Sequence, residues 1–189
     1  MRFDLPSLRH GLLALTCASL LGQAHAAGLT LSSPDIQPGH TLAAAQVYSG
    51  FGCTGGNASP ALNWSGAPAG AKSFAVTVYD PDAPTGSGWW HWVVYNLPAD
   101  THSLTANAGA ASASTLPAGA VTGRNDYGSR DFGGACPPPN TKPHRYIFTV
   151  YALKVDKLDL PADASPALIG YNLLANQIAS AKLVAKYGR

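Results

Sequence analysis

Residues 80–96, DPDAPTGSGWWHWVVYN, limit what this 189-residue chain can become more than any other stretch. Upstream, residues 72–79 are β-branched and aromatic with a period near two, and residues 91–97 read the same way, so both flanks predict strands. Asp80 and Asp82 then stand where the first strand ends. Pro81 and Pro84 fix their own φ and cannot donate to a ladder, which disfavours a regular hairpin there, while Gly86 and Gly88 let the backbone turn back. Residues 144–155, HRYIFTVYALKV, predict a partner strand with His144 and Tyr146 on one face and Arg145 on the other. An imidazole and a phenol are thereby set side by side.

One domain accommodates this length with a substantial core. The first 26 residues read differently: Arg2 and Arg9 precede an apolar run over 11–21, and Ala24-His25-Ala26 supplies the small residues that a signal peptidase needs. Residues 1–26 are expected to be a secretory signal and 27–189 the mature domain, starting near Ala27 in the periplasm or outside the cell. No later run approaches the roughly 20 apolar residues of a membrane helix. Removing Arg2, Arg9 and Asp4 from the 12 basic and 10 acidic residues leaves a net charge of +1. Nucleic acid is then a poor candidate partner, because it calls for clustered basic surface. Cys17 would leave with the signal, and the residue ahead of it, Thr16, does not suit a lipoprotein site. Cys53 and Cys136 remain, an even pair in an oxidising compartment; at this level a disulfide and two half-buried thiols are both open.

Residues 29–31, 41–48 and 61–64 predict short strands, and residues 50–60, with four glycines, a loop. Asn57-Ala58-Ser59 matches a glycosylation acceptor, but loop duty is the simpler reading. Residues 98–119, rich in Ala, Ser and Thr, predict a long surface excursion. GRNDYG at 123–128 leads into FGGACPPPN at 132–140, a Gly- and Pro-rich loop with backbone groups free to meet a ligand. Ser165 as N-cap and Pro166 in the first helical position open a helix. Leu168, Tyr171, Leu174, Ala175 and Ile178 recur at three-to-four spacing and predict its buried face. Residues 182–187 alternate like a closing strand. The sum is a β-rich domain, most simply a sandwich with a peripheral helix.

The segments GNASPALNW (56–64), YDPDAP (79–84), WWHWVVYNLP (89–98), GRNDYG (123–128), CPPPNTKPHRYIFTVYAL (136–153) and the terminal YGR resemble those of the phosphatidylethanolamine-binding proteins, in their bacterial Raf kinase inhibitor-like branch. The resemblance implies an antiparallel β-sandwich with Greek-key connections, a small anion-binding pocket at one end and a peripheral C-terminal helix. Carried over by position, that pocket takes Asp80, Pro84, Trp89, His91, His144 and Tyr146, with Pro138 at its rim. The family's ligands, phosphate and phosphorylethanolamine, imply a phospholipid headgroup or another small phosphate-bearing anion as partner, with no cofactor and no bound metal. The family also places the loops of Cys53 and Cys136 near the pocket end, which implies that the two are bonded. Three consecutive prolines before His144 depart from the family pattern and bear on the width of the pocket.

Two histidines donate hydrogen bonds to phosphate oxygens, more strongly when protonated, and a carboxylate such as Asp80 favours the protonated form. Tyr146 adds a hydroxyl, and Trp89 offers an apolar wall whose π face suits an ammonium group. The plainer alternative has both histidines satisfied by backbone carbonyls and the tryptophans serving as packing. A rival of another class is an enzyme, either a hydrolase using Asp80, His91 and His144 as acid and base or a metal-dependent one with Asp82 as a further ligand. The chain has no Gly-x-Ser-x-Gly elbow, no closely spaced His pair of zinc-protease type and no phosphate-cradling Gly-x-x-x-x-Gly-Lys loop, so binding without catalysis is the expectation. Modulation or inhibition of other proteins is a third reading. Export gives the first test: secreted protein should begin at Ala27 by intact mass, and soluble cytoplasmic protein that retains Met1 would refute the signal.

Overall fold

The computed structural model describes Met1, residues 28–110, Ser112 and residues 115–189. The expected signal and its cleavage point lie outside the described residues. Among the described residues ten strands and one α-helix are formed: β1 (Thr30–Ser32), β2 (Ser49–Gly50), β3 (Cys53–Thr54), β4 (Leu62–Ser65), β5 (Ser73–Asp80), β6 (Trp89–Pro98), β7 (Ser103–Leu104), β8 (Val121–Thr122), β9 (His144–Leu153), α1 (Pro166–Asn176) and β10 (Gln177–Tyr187). A five-stranded antiparallel sheet runs β10-β9-β5-β6-β8, a three-stranded one β1-β4-β7, and β2-β3 is a short ribbon. The domain is therefore mainly β with antiparallel sheets and one C-terminal helix.

Alternation along the central strands divides the interior. Phe74, Val76 and Val78 of β5 and Tyr146, Phe148 and Val150 of β9 face one core, shared with Leu62 and Trp64 of the smaller sheet. Ala75, Val93, Tyr95 and Leu153 face the other way and are covered by Ile169 and Leu173 of α1. β6 keeps both layers only by breaking its own period twice. Val78 pairs with Trp92 and Tyr79 with Trp90, which leaves His91 as an extra residue, and a second irregularity lies between the pairs Val76↔Val94 and Phe74↔Leu97. At the second, Asn96 adopts φ +58° and its side chain exchanges hydrogen bonds with the backbone of Leu158. Such bulges re-aim the side chains beyond them. Trp90 and Val93 consequently pack on the helix side, whereas Trp92, Val94 and Leu97 enter the main core.

Three expectations are corrected. Residues 41–48 form no strand: Thr41 and Val47 make isolated bridges around a 3-10 turn, Ala44–Gln46, and the segment rides along the edge of β10 through bonds such as Leu42 N–H to the Lys186 carbonyl. Residues 98–119 are more than a surface excursion, because β7 pairs with β4 and both Leu104 and Ala108 are buried. The helix begins where expected, with Ser165 Oγ accepting from Leu168 N–H, but it is turned over: Pro166, Ile169, Gly170 and Leu173 are buried, while Leu168, Tyr171 and Leu174 are exposed. Both stripes are apolar at three-to-four spacing, so periodicity had no means to choose between them. Gly170, where a Cβ would come within 3.1 Å of the Trp90 ring, shows which face the sheet demands. Ile178 lies already in β10, which starts directly after the helix.

The open question of the cysteines is settled in favour of a bond. Cys53 and Cys136 are joined, with a Cα–Cα distance of 6.0 Å across 83 residues of sequence. By the chain-entropy relation a loop of this size contributes about 4.5 kcal/mol, so replacing both cysteines by Ser should lower unfolding stability by up to that amount in denaturant melts. Thiol titration of the unreduced, denatured protein should find neither cysteine free.

Candidate functional site

The loop between β5 and β6 and the loop before β9 meet over the end of the large sheet and enclose a cavity of about 210 Å³. All seven residues singled out from the sequence line it: Asp80, Pro84, Trp89, His91, Pro138, His144 and Tyr146. The strands bring them there by simple register. Asp80 ends β5 directly opposite Trp89, and β9 carries His144 and Tyr146 inward on the face that Phe148 continues into the core. The β5–β6 connection is an eight-residue loop, 81–88, in which Gly86 and Gly88 both take positive φ. Gly88 is also pinched, since a Cβ there would lie 2.2 Å from the Tyr79 hydroxyl.

Asp80 is buried and fully engaged. One carboxylate oxygen accepts from His144 Nδ1 at 2.7 Å and the other from the Asp82 amide at 2.8 Å. His144 is thus oriented by the carboxylate, and its Nε2 lies 3.5 Å from Thr141 Oγ1. Thr141 gives its one hydroxyl hydrogen to the Pro138 carbonyl at 2.8 Å, so its oxygen can only accept at Nε2. Asp82, the expected partner in a metal-binding reading, is turned away. It forms a two-pronged pair with Arg145, from Nε at 2.9 Å and Nη2 at 2.7 Å, and accepts the Arg145 amide as well. Among the described residues no group of three His, Cys, Asp or Glu side chains is placed to hold a metal ion.

His91, the bulged residue of β6, is 3% exposed. Its Nδ1 lies 2.7 Å from the Gly133 carbonyl, and the Gly133 amide returns a bond to the His91 carbonyl. Burial pushes this imidazole below its ordinary pKa, against the pull of the Gly133 carbonyl and the Asp80 carboxylate. His91 Nε2 and the Tyr146 hydroxyl are buried and have no hydrogen-bond partner, whereas the Trp89 indole N–H is directed at the Tyr127 hydroxyl. Burial, aided by the Asp80 charge, raises the Tyr146 phenol, which stays a neutral hydroxyl.

Several contributors carried no readable role in the sequence. Tyr127 of the GRNDYG motif lines the cavity, donates to the Gly134 carbonyl at 2.8 Å and stacks on Tyr48 at 4.2 Å between ring centres. Phe51 and Pro137 complete the wall. Asn57 has φ +50°, takes the Gly134 amide at 2.7 Å and gives its own amide to the Phe132 carbonyl, so it holds the backbone on which His91 rests. The signal was present in these motifs as Asn, Asp and Gly in loops, residues that favour positive φ and side-chain-to-backbone bonds, but it did not name their targets.

The sequence profile of the phosphatidylethanolamine-binding protein family matches residues 32–188. The chain belongs to this family. Among its relatives, the UPF0098 protein YbcL of Escherichia coli is 56% identical over 164 residues, covering 87% of this chain and 90% of YbcL. UPF0098 protein YbhB of the same organism is 46% identical, covering 84% and 99%. The crystal structure of YbcL aligns with a TM-score of 0.84 at 55% identity, over 86% of this chain and 99% of that one. The phosphatidylethanolamine-binding protein fold is thereby shared over the whole region that builds the cavity.

The Asp82–Arg145 pair locks the β5–β6 loop to the start of β9, and it titrates. The bond from Arg145 holds the Asp82 carboxyl at about 2, well below the ordinary carboxylate range. A depressed folded-state value gives stability that is present above the unfolded value of about 3.9 and lost as pH falls through about 2. In Arg145→Gln the part of the acid-induced fall in melting temperature due to this pair should disappear, and the Asp82 titration followed by NMR should move up towards the free-residue value.

Proposed function

We propose that this protein is an exported binding protein for small phosphate-bearing anions, phosphorylethanolamine among them, and that it acts by binding rather than by catalysis. The observation that carries the reading is the buried Asp80–His144 dyad at 2.7 Å in the wall of a small cavity. The carboxylate fixes the imidazole, and the anion would be met from the Nε2 side in place of the long 3.5 Å contact to Thr141. The unpartnered Tyr146 hydroxyl is a further donor in the same wall. A cavity of about 210 Å³ lies below the usual range of drug-sized sites, roughly 300–1,000 Å³, which favours a headgroup-sized ligand.

Support for a non-catalytic role comes from the hydroxyl and thiol inventory of the lining. Thr85 donates its hydroxyl to the Gly88 carbonyl, Cys136 is in the disulfide, and the two tyrosines are held neutral by burial. None of these is an activated nucleophile of the kind that covalent hydrolysis uses. Export is supported by the basic and apolar pattern of the first 26 residues and by a disulfide that suits an oxidising compartment. No helix among the described residues is long and apolar enough to cross a membrane.

Calorimetric titration with phosphorylethanolamine tests the reading. Wild type should bind more tightly at about pH 6 than at about pH 8. His144→Ala removes a charge-assisted hydrogen bond worth about 1.5–3 kcal/mol, a loss of roughly ten-fold or more in affinity. Asp80→Ala should weaken binding less directly, by freeing the imidazole. Equal binding by wild type and His144→Ala at both pH values would place the ligand elsewhere.

A further inference from the structure

The two histidines of the cavity are not chemically alike, and the difference lies in where their hydrogens are. His144 offers Nδ1–H to a carboxylate and faces a hydroxyl oxygen that can only accept. His91 offers Nδ1 to the Gly133 carbonyl at 2.7 Å. A carbonyl has no hydrogen to give, so the hydrogen of a neutral His91 ring sits on Nδ1 and Nε2 keeps its lone pair. The ionisable groups acting on this ring are Asp80 from β5, Tyr146 from β9, and Asp126 and Tyr127 from the 123–128 loop. The carboxylates favour a second hydrogen, but burial is the larger effect and lowers the pKa of this ring below the ordinary imidazole value.

We infer that His91 Nε2 is a hydrogen-bond acceptor in the cavity wall, and that the pocket therefore selects anions that retain one acidic O–H, such as a phosphate monoester in its singly charged form. The inference rests on the anion-binding reading and narrows it. A fully ionised phosphate would set an oxygen lone pair against the Nε2 lone pair, leaving a buried acceptor unpaired. A singly charged monoester places its O–H at His91 and its charged oxygens towards His144 and Tyr146. Tighter binding at acidic pH then reflects the proton that the ligand keeps, and His91 needs no charge of its own. A site built around one hydrogen bond also rejects analogues that lack the matching group more strongly than size alone would.

Ethyl phosphate and dimethyl phosphate provide the test, because they have the same atomic composition. At about pH 5 both carry one negative charge, yet only ethyl phosphate keeps an O–H, the second ionisation of such monoesters lying at about 6. Calorimetry at that pH should show ethyl phosphate bound at least roughly ten-fold more tightly than dimethyl phosphate. Phosphorus NMR should show bound ethyl phosphate still singly charged at about pH 7.5, where the free ester is doubly charged. Nitrogen NMR of His91 in the complex should show a hydrogen on Nδ1 alone. Equal affinity for the two esters, or a doubly protonated His91 in the complex, overturns this inference while leaving anion binding in place. If neither ester binds at any pH, the anion-binding reading falls and this inference with it.

Discussion

A carboxylate that is 3% exposed has to be satisfied by the protein itself, and the architecture around Asp80 answers that demand. One oxygen is met by His144 from β9 and the other by the Asp82 amide of the following turn. Asp82 then turns outward to Arg145, the residue next to His144. Two successive acids in one strand end thus grip two successive residues of the neighbouring strand, one inside and one outside. The inner pair sets the chemistry of the cavity, whereas the outer pair, in contact with water, secures the approach of the two strands.

Much of this was legible because it follows from alternation. β5 and β9 read correctly from their period, and alternation alone put His144 and Tyr146 together with Arg145 opposed. β6 shows where that reasoning stops. Strict alternation from Trp89 would place His91 and Val93 together and send Trp92 to the opposite face. The bulge at His91 instead lets His91 line the cavity while Trp92 fills the core immediately beside it. No local residue announces this bulge. Its causes are the demand of the core for Trp92 and the bond from His91 to Gly133, both contacts made far along the chain. The orientation of α1 was hidden for a related reason, since a helix apolar on both stripes takes its phase from the sheet beneath it.

The rim of the cavity is built from loops that have little regular structure of their own, and cross-links replace what a ladder would supply. The disulfide joins the β2–β3 ribbon to the proline loop. Arg189 spans the same gap, donating to the carbonyls of Pro137, Gly52 and Phe51 at 2.7, 3.2 and 3.2 Å. Gly134 lies so close to the backbone of residues 46–48 that a Cβ would fall 2.5 Å from the Gln46 carbonyl oxygen. A covalent bond, a guanidinium and a missing side chain therefore fix one wall. Pro137 and Pro138 form part of that wall, where their fixed φ costs no ladder bonds and limits how far they can retreat.

Charge outside the cavity is arranged differently from charge inside it. A groove of about 590 Å³ adjoins the site through Pro84 and His144 and is lined by Lys142, Arg145 and Lys186. Arg145 and Lys186 lie opposite each other in register, a like-charge arrangement that would be unfavourable without Asp82 on Arg145. Lys142 and Lys186 are exposed and make no ion pair among the described residues, so their field reaches into solvent. That field decays over a Debye length of roughly 8–10 Å at ordinary salt, enough to draw an anion to the mouth but too screened to hold it. On the proposed reading, capture and retention are then separate properties. The lysines govern the first and yield to salt, while the Asp80–His144 dyad governs the second from within a site that salt barely reaches.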